Sequence, residues 1–193
     1  MGATVQQRTK DNRVTVDTDR PGLTILLTGL PAAGKSTLAR ALVARLVRTG
    51  RKVTLLDGDQ LRDFLWPELG FTRHDRVSQC RRVGFIAGEI AIHGGTTVCA
   101  LVAPFDEARE EIRRQASAHG RFVLVHVATP LEVCSLRDPK GLYARARAGS
   151  IANLTGVGAE YEAPDNADFV IDMTSGTSDD AAEMICERLF SVV

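Results

Sequence analysis

The stretch GLPAAGKST at residues 29–37 fits the pattern G-x-x-x-x-G-K-[ST] at every fixed position. It stands between a short apolar run, LTILL (23–27), and a helical pattern, STLARALVARLVRTG (36–50), in which Leu38, Leu42 and Leu46 share a face. A buried strand, a glycine-rich turn and a helix in that order form a phosphate-binding loop, and few folds contain one. Gly29 and Gly34 allow backbone angles that strain other residues. The main chain of Gly29, Leu30, Pro31, Ala32, Ala33, Gly34, Lys35, Ser36 and Thr37 can then wrap phosphate oxygens. Lys35 brings positive charge to the outer phosphates, and the Ser36 hydroxyl can take a position on magnesium. The helix start adds its positive dipole end.

Downstream, strand and helix patterns alternate. KVTLLD (52–57), TTVCALVA (96–103), FVLVHVA (122–128) and ADFVIDM (167–173) read as further strands. Residues 75–95, 105–120, 130–136 and 178–190 read as helices, several closed by glycine. This alternation predicts a single-domain α/β protein of the P-loop NTPase fold. It has a five-stranded parallel sheet, helices on both faces and a basic lid. Residues 1–20 are polar and patternless and are expected to form a flexible arm, with the P-loop domain spanning 21–193. Ligands in such sheets lie at the carboxyl ends of strands, which here means just after residues 28, 56, 103 and 128.

The composition narrows the partners. A formal net charge of zero does not indicate a nucleic-acid or membrane surface. The four cysteines form no C-x-x-C pair, so no zinc site is readable. The N-terminus lacks a signal peptide's apolar core and no run reaches membrane-spanning length, so the expected location is the cytoplasm.

The destination of the phosphoryl group is constrained by what the chain lacks. There is no guanine-reading N-K-x-D, and the third strand ends in LVAPF rather than in an acid. The nearest acids are Asp57 and Asp59 in LLDGDQLR (55–62). A turn at Gly58 can aim both into the cleft, one holding magnesium through water and the other accepting a proton from an attacking hydroxyl. LRDPKGLYARARAG (136–149) has the composition of a cationic lid, which would exclude water from a kinase site. Together these features read as a small-molecule kinase with a two-anion cleft.

With GLPAAGKST, LLDGDQLR, ELGFTRHDR, RRVGFIA, TPLEVCSLRDPKGLYARARAG and YEAP, the chain resembles the adenylyl-sulfate kinase family from about Gly22 to Pro164. The resemblance implies Mg2+-dependent transfer of the ATP γ-phosphoryl group to the ribose 3′-hydroxyl of adenylyl sulfate. The product would be 3′-phosphoadenylyl sulfate, for sulfate assimilation. It also implies a homodimer, acting either alone or in association with sulfate adenylyltransferase. Carried over by position, Asp59 is the base beside the 3′-hydroxyl, Asp57 acts through magnesium-bound water, and Arg62 and Arg76 clasp the sulfate–phosphate group. Phe71 stacks on the substrate adenine, Gln79 contacts substrate, Lys140 reaches in from the lid and Arg137 lies against the ATP adenine. Val102, Ala103, Asn153 and Leu154 complete the expected substrate site.

Four positions depart from the family pattern. Gln79 stands for the usual Asn, Ala103 for a serine, Asp106 for a common Arg, and Leu154 for the phenylalanine that completes the adenine sandwich. Ala103 leaves direct transfer as the route, and Leu154 implies weaker substrate binding or a changed substrate. Two alternatives therefore stand beside the kinase reading: phosphorylation of another anionic nucleotide, and a non-catalytic nucleotide-binding relative.

Overall fold

The computed structural model describes residues 20–190. The arm expected over residues 1–20 lies, except for Arg20, outside the described residues. Five strands form one parallel sheet: β1 (Gly22–Thr28), β2 (Val53–Asp57), β3 (Thr96–Ala100), β4 (Gly120–Val127) and β5 (Phe169–Ile171). Their order across the sheet is β2-β3-β1-β4-β5. β1 is central, and all seven of its residues are buried, as a strand covered on both faces requires.

The described residues form seven helices around the sheet: α1 (Lys35–Arg48), α2 (Gly58–Leu65), α3 (Arg73–Ile92), α4 (Asp106–Ser117), α5 (Leu131–Arg137), α6 (Leu142–Arg147) and α7 (Ser178–Phe190). The pleat of β1 divides the core in two. Leu23, Ile25 and Leu27 pack with Leu38, Leu42 and Leu46 of α1 and Ile185 and Leu189 of α7. Leu26 points the other way, toward Cys80, Val83 and Ala87 of α3 and Ile112 of α4. The end of α3 comes so close to the start of β1 that a Cβ on Gly22 would lie 2.5 Å from the Ala91 carbonyl oxygen.

The expected architecture holds, with three local differences. β3 leaves the ladder at Ala100, and Leu101–Ala103 turn away as a strap along the sheet edge, with Ala103 at φ 40°. Asp57–Asp59 is not a free turn but the start of α2. The basic stretch 137–147 contains a helix, α6, whose first amides at Tyr143 and Ala144 donate to the Asp138 carboxylate.

Candidate active site

The carboxyl ends of β1, β2 and β3 open onto a cleft of about 1350 Å³. A single ligand pocket is typically about 300–1,000 Å³, so this one has room for two nucleotides. On one side, Gly34 takes φ 107° and starts α1 without a side-chain cap or an acid in the first turn. The α1 amides and dipole are thus left for an anion. Lys35 curls across its own loop and donates to the carbonyls of Gly29 (3.0 Å) and Leu30 (2.7 Å). Burial lowers its pKa to about 8, against the opposing pull of Asp59, Cys134 and Asp57. Of the nine loop residues, Pro31, Ala32, Gly34, Lys35, Ser36 and Thr37 line the cleft. Gly29, Leu30 and Ala33 are not part of its wall. Ala33 is fully buried, and its carbonyl accepts from the Thr129 hydroxyl just after β4 (2.7 Å).

Two carboxylates follow β2, and their settings differ. Asp57 caps α2: one oxygen accepts the Asp59 amide (3.1 Å) and the other the Ser36 hydroxyl (2.8 Å). Both oxygens are held, so the side chain has one fixed orientation against the phosphate loop. Asp59 lies in the first turn of α2, largely exposed to the cleft, where it accepts from Lys140 of the lid. That hydrogen bond raises the pKa of Lys140.

The opposite wall is cationic and aromatic. Arg62 donates to the carbonyls of Leu69 (2.8 Å) and Gly70 and to the Gln79 side chain, and its guanidinium lies 4.6 Å from the Phe71 ring centre. Arg76 donates to the carbonyls of Phe71 (3.0 Å) and Asn153 (3.1 Å), 5.6 Å from the same ring. Among the described residues, neither arginine has a carboxylate partner. Burial lowers the pKa of both, and for Arg76 the nearby charge of Arg62 adds to the effect. Two partly desolvated guanidinium groups bonded only to neutral oxygens form a site for an external anion. Phe71 keeps 59% of its surface exposed between them.

The remaining expected residues also line the cleft, but some through other atoms than foreseen. Both ends of the Gln79 amide are engaged, one by Arg62 and one by the Gly58 carbonyl (2.9 Å), so its visible role is to orient Arg62. Leu154 lines the cleft yet is only 7% exposed, because it also belongs to the α1–α7 core. The carbonyls of Val102, Ala103 and Asn153 are taken by Thr28, Arg109 and Arg76, and Arg137 donates to the Met173 carbonyl. Asp106 lies outside the cleft, paired with Arg109. Arg40 and Met173 line the cleft but were not singled out from sequence. Arg40 is one helical turn beyond Ser36, and Met173 follows the end of β5, so spacing and strand-end position were the available signals.

No group of three His, Cys, Asp or Glu side chains among the described residues could hold a metal unaided. The Ser36 hydroxyl and Asp57 carboxylate nonetheless form a small all-oxygen donor set beside the phosphate loop. It suits Mg2+, which binds through one or two protein oxygens, waters and substrate phosphates. No helix among the described residues is long and apolar enough to cross a membrane.

A family profile described as adenylylsulphate kinase matches residues 21–172. The chain is 45% identical over 170 residues to an adenylyl-sulfate kinase of Shewanella amazonensis, covering 88% of this chain and 85% of the relative. It is 46% identical over 154 residues to a sulfate adenylyltransferase of Aspergillus oryzae; there the match covers 79% of this chain but only 27% of the relative. Among solved structures, the Mycobacterium tuberculosis APS kinase CysC in complex with AMPPNP and APS superposes with a TM-score of 0.84 at 36% identity. That match covers 88% of this chain and 98% of the other.

Proposed function

The chain belongs to the adenylylsulphate kinase family, and from that premise we propose that it phosphorylates the ribose 3′-hydroxyl of adenylyl sulfate with ATP to give 3′-phosphoadenylyl sulfate. It is an ATP-dependent phosphotransferase, and its two substrates occupy facing halves of one cleft. One observation carries the reading: Arg62 and Arg76, without carboxylate partners, flank an exposed Phe71 across from the phosphate loop, and Asp59 acts electrostatically on both Lys35 and Arg62.

The ATP phosphates lie along residues 31–37, where Lys35 turns from its loop carbonyls to the outer phosphates. Ser36 and Asp57 would hold Mg2+, Asp57 through water, and the ion would neutralise charge on the transferring phosphoryl group. Arg137 lies against the ATP base. Arg62 and Arg76 bind the sulfate–phosphate group, Phe71 stacks on the acceptor adenine, and Leu154 supplies an apolar surface near it. Gln79, Val102, Ala103 and Asn153 complete that half of the cleft. Asp59, released from Lys140, accepts the 3′-hydroxyl proton as that oxygen bonds to the γ-phosphorus and the bond to the β-phosphate oxygen breaks. ADP leaves, and Lys140 remains to balance the charge gathered around the transfer.

On the same footing we place the reaction in the cytoplasm, where ATP is supplied and where unpaired thiols such as Cys80, Cys99, Cys134 and Cys186 persist. The homodimer and the association with sulfate adenylyltransferase implied by the resemblance are proposals of the same kind. ADP release, measured with and without adenylyl sulfate, tests the reaction. Strong stimulation is expected. Because Leu154 offers no aromatic face, turnover with a different anionic nucleotide instead would favour the second reading. ATP binding without turnover on any acceptor would refute both.

A further inference from the structure

The strap from Leu101 to Pro104 forms part of the acceptor wall, yet it is held almost entirely from behind. The Leu101 amide donates to the Leu27 carbonyl (3.0 Å). The next three carbonyls then each accept a hydrogen bond from a different element. Val102 accepts from the Thr28 hydroxyl (2.6 Å), Ala103 from Arg109 Nη1 (2.9 Å) and Pro104 from the Glu162 amide (2.8 Å). Thr28 has one hydroxyl proton, directed at the Val102 carbonyl and more distantly at that of Ala103 (3.3 Å). The Tyr161 hydroxyl, 3.1 Å away, must therefore be the donor to Thr28.

Ala103 is the strained link. Its φ of 40° lies in the left-handed region, which residues with a Cβ rarely adopt. Arg109 grips the carbonyl of that residue. It is only 3% exposed, and Asp106, one turn earlier on α4, accepts from its other terminal nitrogen. A buried cation with one end on a carboxylate and the other on a carbonyl has one orientation.

We propose that Arg109, aimed by Asp106, is a positioning residue for the acceptor substrate: it holds Ala103 in its left-handed turn and so sets the shape of the wall against which the acceptor lies. It does not itself line the cleft. The inference rests on the reading that this half of the cleft binds the acceptor. It also gives a use to Asp106, which the transfer chemistry leaves unassigned.

The test is steady-state kinetics with adenylyl sulfate and ATP varied separately. Stimulation of the wild-type protein by adenylyl sulfate comes first; its absence would defeat the functional reading rather than this one. Given stimulation, Arg109→Met is expected to raise the acceptor KM about tenfold and to leave the ATP KM within about twofold, as loss of a charge-assisted bond at the wall implies. Arg109→Lys keeps one donor for the Ala103 carbonyl and should recover most of that loss. Asp106→Asn changes an exposed side chain, so it tests the same link even if Arg109→Met does not fold; a roughly two- to threefold rise in acceptor KM is expected. An unchanged acceptor KM in Asp106→Asn and the Arg109 variants, or a parallel rise in both KM values, would overturn the proposal.

Discussion

Lys35 offers the most direct test of the phosphate site, because its protonation depends on what occupies the cleft. Without ligand, burial holds its pKa at about 8, below the ordinary 10.5. At pH 7 about a tenth of the molecules would carry a neutral Lys35, at pH 8 about half, and at pH 9 about nine-tenths. Bound triphosphate favours the charged form, so ATP binding must take up the missing proton. Uptake should rise from about 0.1 proton at pH 7 to about 0.5 at pH 8 and about 0.9 at pH 9. Affinity should follow: relative to its low-pH limit, ATP binding weakens about twofold at pH 8 and about elevenfold at pH 9. Isothermal titration calorimetry in two buffers of different ionisation enthalpy measures the uptake directly. Linkage also fixes the sign for the free protein. The unfolded chain binds more protons than the native one between about pH 8 and 10.5, so ligand-free stability contains a Lys35 contribution that rises with pH across that window. Proton uptake that is flat from pH 7 to 9 would show that Lys35 is not the desolvated cation awaiting phosphate.

Three further outcomes are expected. Asp59→Ala should lower turnover by about a hundredfold or more while the ATP Kd, measured by equilibrium dialysis, changes little; normal turnover would remove Asp59 from the proton transfer. Leu154→Phe should lower the acceptor KM, since one stacking face contributes roughly 1–3 kcal/mol in comparable base contacts. Because Leu154 is also a core residue, the gain should come with a lower Tm, and an unchanged or higher KM would place residue 154 away from the purine. Gly22→Ala should cost about 1–3 kcal/mol in urea unfolding, because its Cβ would meet the rigid backbone of Ala91 at 2.5–2.6 Å; wild-type stability would mean that α3 does not approach β1 so closely.

The strands and long helices were legible because burial writes a period into the sequence. All of β1 is buried, and α1 repeats Leu38, Leu42 and Leu46 against it. α2 was missed although Leu61, Phe64 and Leu65 share one helical face: the helix is only eight residues long, about two turns, and none of its residues is buried. Its other local signal, the Asp57 cap, served equally well as the start of a turn. α6 was hidden in a run of cations in which Tyr143 alone is buried; Asp138, ahead of the helix, was its readable mark. In the site, the residue types indicated the chemistry, and the structure brings Lys35, Asp57, Asp59, Arg62 and Arg76 to one cleft. Partnerships were not legible. Nothing in the spacing says that Gln79 spends its amide on Arg62 and Gly58, or that Arg109 reaches back six residues to Ala103. Those links depend on how two helices lie over the sheet.

The order β2-β3-β1 has a mechanical corollary. The phosphate loop leaves β1, the Leu101–Pro104 strap leaves β3 beside it, and Asp57 and Asp59 end β2 and begin α2 one strand further on. Strand spacing alone would hold the ends of β1 and β2 about 10 Å apart, yet the Ser36 hydroxyl reaches Asp57 at 2.8 Å, so the segments leaving those two strands meet beyond the end of β3. The sheet thus sets the separation at the strand ends, and a single side-chain hydrogen bond closes it beyond them.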